Sequence, residues 1–266
     1  REPADMNRLV MLPFLWLYAT LAFAADIPEV VQLCMDKNTP ATSSIQSIEL
    51  RARDRSGYEQ VLEADTYWKR GADGRSSILM HFSEPADIRG ARFLIIENTP
   101  QNDMYMYMPG LFKVRKITSK RISSSILGTD FSYEDYERLH GVFTNMRAEQ
   151  SPDEVLDGRP VHVINSYPEG DSGYEKIKTY IDTETCIALK TELFESDHQL
   201  RKMLTVNPAD IKKEGTIHVP RTLLMRDLRD KTETRLLIQD IKTDVALEND
   251  LFDPAQLKQK KAPAIP

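Results

Sequence analysis

The sequence has little with which to work on a metal or a nucleotide. Its five histidines, His81, His140, His162, His198 and His218, are scattered without HExxH spacing, and with Cys34 and Cys186 they make no ligand cluster. There is no G-x-S-x-G elbow, P-loop or dinucleotide fingerprint. Carboxylates are plentiful but alternate with Lys and Arg, as they do on a solvated sheet face. These absences argue against an enzyme and imply neither cofactor nor metal. Basic excess is lacking too. Lys and Arg number 35 against 41 Asp and Glu, a net charge of -6, which gives no support to a nucleic-acid partner.

Long apolar runs are almost absent. The one run, Leu9 to Leu21, follows Arg8 and ends at Ala22-Phe23-Ala24, the small-x-small pattern of a signal-peptidase site. It is too short for a membrane span of about 20 residues. Met6 reads as the natural start, so residues 1–25 are expected to be upstream residues and a cleaved Sec signal peptide. Cleavage is expected near Ala25 or Asp26, and with no Cys after it the protein is not lipidated. About 240 mature residues then form one large domain or two small ones. No composition break marks a linker, so residues 26–256 are read as a single domain and 257–266 as a disordered tail.

Alternation dominates what is present. Residues 44–53, 58–70 and 76–84 each read apolar on one face and polar on the other. Residues 91–98 are apolar on both faces, which predicts a central strand covered twice. Short Gly-, Pro- and Asp-containing turns separate them in the rhythm of an antiparallel meander. Further strands are expected at 143–150, 160–167, 174–182, 186–195, 199–206, 217–228 and 233–242. One helix interrupts them at 131–141. Ser132 and Asp135 approximate a capping box, Phe131 and Tyr136 stand where a hydrophobic staple would, and Gly141 is a natural stop. The expected fold is mainly β with short helices: one continuous curved sheet whose concave face the helices lid.

The most informative stretch is "NDMYMYMPGLFKVRKI", residues 102–117. Met104, Met106 and Met108 fall on one strand face, Tyr105 and Tyr107 on the other. With Met80, Phe82, Phe93 and Ile95 of neighbouring strands, the methionines form either a cavity wall adaptable to acyl chains or an ordinary sandwich core. The tyrosines would lie on the outer face with wet hydroxyls. The basic residues Lys113, Arg115, Lys116, Lys120 and Arg121 read as a phosphate or acidic-partner surface, or as a solvated loop.

Two cysteines in an oxidising compartment suggest one disulfide, with two unrelated buried thiols as the alternative. Ile27, Val30, Val31 and Cys34 fall at i, i+3, i+4 and i+7, which puts Cys34 on the buried face of a short first helix. Cys186 is expected in a central strand.

"DMYMYMPGLFKVRKI" followed by "SSSILGTDFSYEDYERL" resembles the outer-membrane lipoprotein-sorting protein family, relatives of the LolA/LolB-like periplasmic carriers. The matching positions are Tyr107, Pro109, Val114, Arg115, Lys116, Ile117 and Gly128 through Asp135. "YWKR" (67–70), "SEPADIRGARFLI" (83–95), "IDTETCIALKTELFE" (181–195) and "LFDP" (251–254) fit the same pattern, so the resemblance spans nearly the whole mature chain. It implies a curved antiparallel half-barrel around a hydrophobic cavity, closed by a helical lid, in a Gram-negative periplasm. The implied role is a monomeric carrier of a lipid or lipidated cargo. It would act beside an RND/MMPL-type inner-membrane transporter and hand cargo to a transient outer-membrane acceptor. On this reading Phe131, Tyr133, Tyr136 and Leu139 are lid residues, and Lys113, Arg115 and Lys116 border the mouth. A sensing or regulatory module, and an envelope scaffold without ligand, are the competing classes.

Overall fold

The computed structural model describes residues 29–142 and 146–258. The expected leader, with its cleavage site, lies outside the described residues. So do residues 143–145, at the start of one expected strand, and 259–266. A thirteen-stranded antiparallel sheet dominates the molecule. The first meander comprises β1 (Ser43–Arg53), β2 (Glu59–Arg70), β3 (Ser76–Glu84), β4 (Arg92–Ile96), β5 (Asp103–Met108) and β6 (Lys113–Ile117). The second comprises β7 (Met146–Leu156), β8 (Arg159–Pro168), β9 (Lys176–Asp182), β10 (Ala188–Phe194) and β11 (Leu200–Val206). A small separate hairpin follows, β12 (Ile211–Glu214) with β13 (Ile217–Pro220), before β14 (Thr222–Asp227) and β15 (Thr232–Thr243) rejoin the sheet.

The spatial order is β6-β5-β4-β3-β2-β1-β15-β14-β11-β10-β9-β8-β7. The two meanders are therefore joined side by side through β1 and β15, and β6 and β7 are the free edges. The helix α2 (Tyr133–Leu139) lies in the connection from β6 to β7, which leads from one edge of the sheet to the other. Side chains of this segment reach both halves. Tyr136 Oη meets Thr66 Oγ1 of β2 at 2.7 Å, and Asp135 Oδ2 accepts from Lys202 Nζ of β11 at 2.9 Å. One seven-residue helix thus touches β2 and β11, which lie four strands apart in the sheet.

The sheet carries apolar side chains on both faces, and each face is covered. The inner face of Ile48, Leu50, Ile78, Met80, Phe82, Phe93 and Ile95 continues through Val161, Val163, Leu204 and Leu236 as one cluster with Phe131 and Tyr136. The outer face of the first meander shows Ile45, Tyr67, Leu79, Leu94 and Tyr107, capped by Phe252 and Leu257. That C-terminal strap is pinned by Arg92 Nη1 donating to the Leu257 carbonyl at 3.0 Å and Lys69 Nζ to Asn249 Oδ1 at 2.7 Å. Tyr107 and Tyr105 therefore pack under the strap rather than lying wet on an open face. Residues 91–98 are covered twice, as their two apolar faces predict.

The outer face of the second meander is covered by α1 (Glu29–Asp36), whose Val31 and Cys34 pack on Ile164 and Ile181. Cys34 and Cys186 form the disulfide, with Cα atoms 5.2 Å apart. Cys186 lies not in a central strand but in the turn between β9 and β10, at φ 60°. Closing 152 residues of chain contributes about 5 kcal/mol in the chain-entropy model. Reduction is accordingly expected to lower the denaturant midpoint strongly. An unchanged midpoint in dithiothreitol, compared with a Cys34→Ser/Cys186→Ser variant, would contradict this.

Other departures from the sequence pattern are local. Residues 113–117 are an edge strand, not a solvated loop. Residues 217–228 break at Pro220-Arg221 into β13 and β14, since proline cannot donate to a ladder.

Candidate functional site

The helix α2 is short, and its seven residues are too few to be stable alone. Local chemistry fixes its start. Ser132 Oγ accepts from the Asp135 N–H at 3.2 Å while Asp135 Oδ2 accepts from the Ser132 N–H at 2.8 Å, a reciprocal capping box. The remaining acidic groups of the motif act outward from the helix. Asp130 accepts from the hydroxyls of Thr232 and Thr234 on β15. Glu134 accepts from Ser172 Oγ and the Gly173 N–H, both at 2.8 Å. Asp135 also accepts from Tyr174 Oη at 2.8 Å. Gly173 is required by close approach, because a Cβ there would stand 2.6 Å from Glu134 Oε1.

Glu134, Asp135 and Glu137 are all buried, an unusual concentration of carboxylates. Burial raises the pKa of Glu134 and pushes Glu137, which accepts from Asn102 Nδ2, up to about 7. Burial also holds His140, which stacks on Tyr136 at 4.5 Å between centroids, down to about 4 and hence neutral. The acidic groups are thus engaged in holding α2, Asp135 to β11 and Glu134 and Glu137 to the loops at Ser172-Gly173 and Asn102. Among the described residues no group of histidine, cysteine and carboxylate side chains is placed to hold a metal.

The larger cavity lies beside this clasp, against the β5–β6 hairpin. It has a volume of about 650 Å³, inside the roughly 300–1,000 Å³ range of small-molecule sites. Met106, Met108, Leu111, Ile117, Leu127 and Tyr133 supply its apolar lining, and Lys113, Arg115, Lys116 and Arg121 stand along it. Register explains the mixture. Met106 lies opposite Arg115 and Met108 opposite Lys113, so these four share one face of the hairpin. Lys116 lies opposite Tyr105 on the other face, where it pairs with Asp103 at 2.5 Å. All three basic residues expected at the mouth border the cavity, but only Lys113 and Arg115 share the methionine face of the hairpin.

The other expected wall residues are not at this cavity. Met80, Phe82, Phe93, Ile95 and Met104 are 2% exposed or less and pack in the core. The ring of Phe93 lies 4.9 Å from that of Tyr133 and 6.0 Å from that of Tyr136. Of the expected lid residues, Tyr133 lines the cavity, Phe131 and Tyr136 are buried in the core, and Leu139 packs against it partly exposed. Sequence reasoning missed Leu111, Ile117 and Leu127 as lining. Only the Pro109-Gly110 break signalled that the chain turns back here to bring Leu111 and Ile117 near Met106. A smaller cavity of about 260 Å³ lies near Arg53 and Arg226, but those guanidinium groups already pair with Glu233.

Residues 74–259 match the model of a family described as "Uncharacterized protein". The chain belongs to this family. Its fold is shared with three solved structures. A domain from Vibrio parahaemolyticus described as an outer membrane lipoprotein-sorting protein is 24% identical, with TM-score 0.78, covering 87% of this chain and 97% of that one. A DUF1329 family protein from Desulfovibrio piger is 22% identical, with TM-score 0.79, covering 86% and 97%. A LolA superfamily protein from Nitrosomonas europaea is 16% identical, with TM-score 0.66, covering 84% and 96%. These bear out, at the level of fold, the resemblance to lipoprotein-sorting proteins carried by residues 103–139. No curated protein matches the chain.

Proposed function

We propose that this family member is a periplasmic carrier that binds an acyl chain of a lipid or lipidated cargo in the cavity between the β5–β6 hairpin and α2. The observation that carries the reading is the row of Met106, Met108, Leu111, Ile117 and Leu127 lining a cavity of about 650 Å³. Unbranched thioethers re-pack around chains of varied shape. Each methylene moved from water into such a lining contributes about 0.8 kcal/mol. The Cys34–Cys186 disulfide fits an oxidising compartment. The sharing of fold with a LolA superfamily protein fits a role in passing cargo between membranes.

In this reading the mechanism is binding and release, not catalysis. Tyr133 and the neighbouring turn act as the lid, while Phe131 and Tyr136 anchor it. An RND/MMPL-type inner-membrane exporter delivers the cargo and an outer-membrane acceptor competes for its chain.

A fluorescent acyl probe tests the cavity. Met106→Asp is expected to weaken probe binding at least about tenfold, because the new carboxylate replaces apolar wall and meets Arg115 across the strand pair. Met106→Leu, close in volume, should bind nearly as the parent does. Equal affinity for the parent and the Asp variant would remove the cavity from the mechanism. Native mass spectrometry after gentle purification supplies the second readout, since a carrier retains lipid and a filled scaffold does not.

A further inference from the structure

The apolar lining says that a chain binds; the charges around it say what the chain ends in. No aspartate or glutamate lines the cavity, whereas four basic residues do: Lys116, whose ammonium pairs with Asp103 on the other face of the hairpin, and the three cations Lys113, Arg115 and Arg121. Among the described residues none of these three forms a salt bridge, whereas Arg51, Arg53, Arg89, Arg159 and Arg221 each pair with a carboxylate elsewhere on the surface. Three uncompensated cations in one concave site are conspicuous on a chain of net charge -6. They repel one another, and a concave wall concentrates their field on whatever enters. Hydroxyl groups of Thr118 and Tyr133 stand in the same lining as hydrogen-bond donors, while the Ser125 hydroxyl already donates to the Thr129 carbonyl.

The arrangement is also directional. Lys113 and Arg115 stand on the edge strand β6, with the apolar partners Met108 and Met106 one strand further in. A ligand that satisfies both sets has an apolar tail toward β5 and a negative head toward β6 and Arg121. We infer that the cavity selects an anionic amphiphile, an acyl chain carrying a carboxylate or phosphate head, over neutral or zwitterionic chains of the same length. This rests on the carrier reading above and adds the chemistry of the head. A free phosphate or sugar phosphate would leave the Met106, Met108 and Leu127 lining wet. A bare hydrocarbon would leave the three cations unused.

The experiment is displacement of a neutral fluorescent acyl probe from the full-length mature protein by ligands of matched chain length. The set is palmitate, palmitoyl-lysophosphatidylglycerol, palmitoyl-lysophosphatidylcholine and hexadecanol, with inorganic phosphate and glycerol 3-phosphate as free anions. The anionic lipids are expected to bind about tenfold or more tightly than the uncharged or zwitterionic ones, given charge-assisted contacts to two or three cations. The preference should shrink as salt screens it. Palmitate against lysophosphatidylglycerol decides between carboxylate and phosphate as the head. In a Lys113→Gln/Arg115→Gln/Arg121→Gln variant the ratio of anionic to neutral affinity should fall toward one, and Arg121→Gln alone should lower it part-way.

Equal affinity of charged and uncharged lipids for the parent overturns the inference while leaving the carrier reading standing. Displacement by inorganic phosphate as readily as by lysophosphatidylglycerol also overturns it, as a simple anion site. Failure of the probe and every lipid to bind removes both readings.

Discussion

Tyr136→Ala lowers the unfolding free energy by about 3–5 kcal/mol, the expected cost of deleting a fully buried aromatic. Its ring is 2% exposed, lies 6.0 Å from that of Phe93, and its hydroxyl meets Thr66 at 2.7 Å. Phe131→Ala should cost a similar amount, since Phe131 is 1% exposed. Tyr136→Phe isolates the polar part, leaving a buried Thr66 hydroxyl without its partner at about 1–3 kcal/mol. Chemical denaturation reads all three. The result bears directly on α2 as a lid. A helix that swings as a unit must draw Tyr136 from the core at each opening, so a large loss confines motion to Tyr133 and the neighbouring turn. A loss below about 1 kcal/mol would instead show a loosely seated helix, free to move whole.

The second large effect concerns charge. Asp135→Asn is expected to destabilise by about 3–5 kcal/mol, the usual cost of removing one partner of a buried ion pair. The carboxylate accepts from Lys202 Nζ, from Tyr174 Oη and from the Ser132 N–H, and an amide cannot serve all three donors. Lys202 would then keep its charge at 12% side-chain exposure with the Asp130 carbonyl and, at 5.9 Å, the Tyr174 ring beside it but no carboxylate bonded to it. The double variant Asp135→Asn/Lys202→Met should recover part of the loss by removing the stranded charge. Purely additive losses in that cycle would show that the two residues are not coupled. A single-variant loss within about 0.5 kcal/mol would show that the clasp contributes little to holding α2.

The parts of this fold that were legible from sequence are those where one local pattern meets one environment. The alternation of 44–53 and 76–84 became β1 and β3 because each has one dominant apolar face. Ser132 and Asp135 form their capping box because the signal is contained in four residues. The methionine and tyrosine faces separated as period two requires. Illegible were features set by distant chain. "KVRKI" is a strand only because β5 offers it an edge; its apolar Val114 and Ile117 stand three apart and give no strand period. The tyrosine face looked open to water until residues 245–257 were seen to cross it. Which apolar inner-face residues line a cavity and which are core depended on where α2 lands. Phe93 and Met104 have the same chemistry as cavity wall, yet they are packed away from it. The acidic motif GTDFSYED was legible as a helix start but not as a clasp, because its partners Ser172, Lys202 and Thr232 lie 38 or more residues further on.

The pairing of β1 with β15 has a consequence in time. Ser44 to Arg53 pair with Thr243 to Glu233, nearly the first and nearly the last of the described chain. At about 5–20 residues per second, roughly 10–40 s pass on the ribosome between completing the first strand and completing its partner. Throughout that interval β1 is a bare edge backed only by β2, and the six-strand meander has no strand in common with the other half. Such an edge invites wrong partners until its own partner covers it. Arrival of Thr232–Thr243 is the step that turns two separate ribbons into one sheet, and a chain cut short before it remains two.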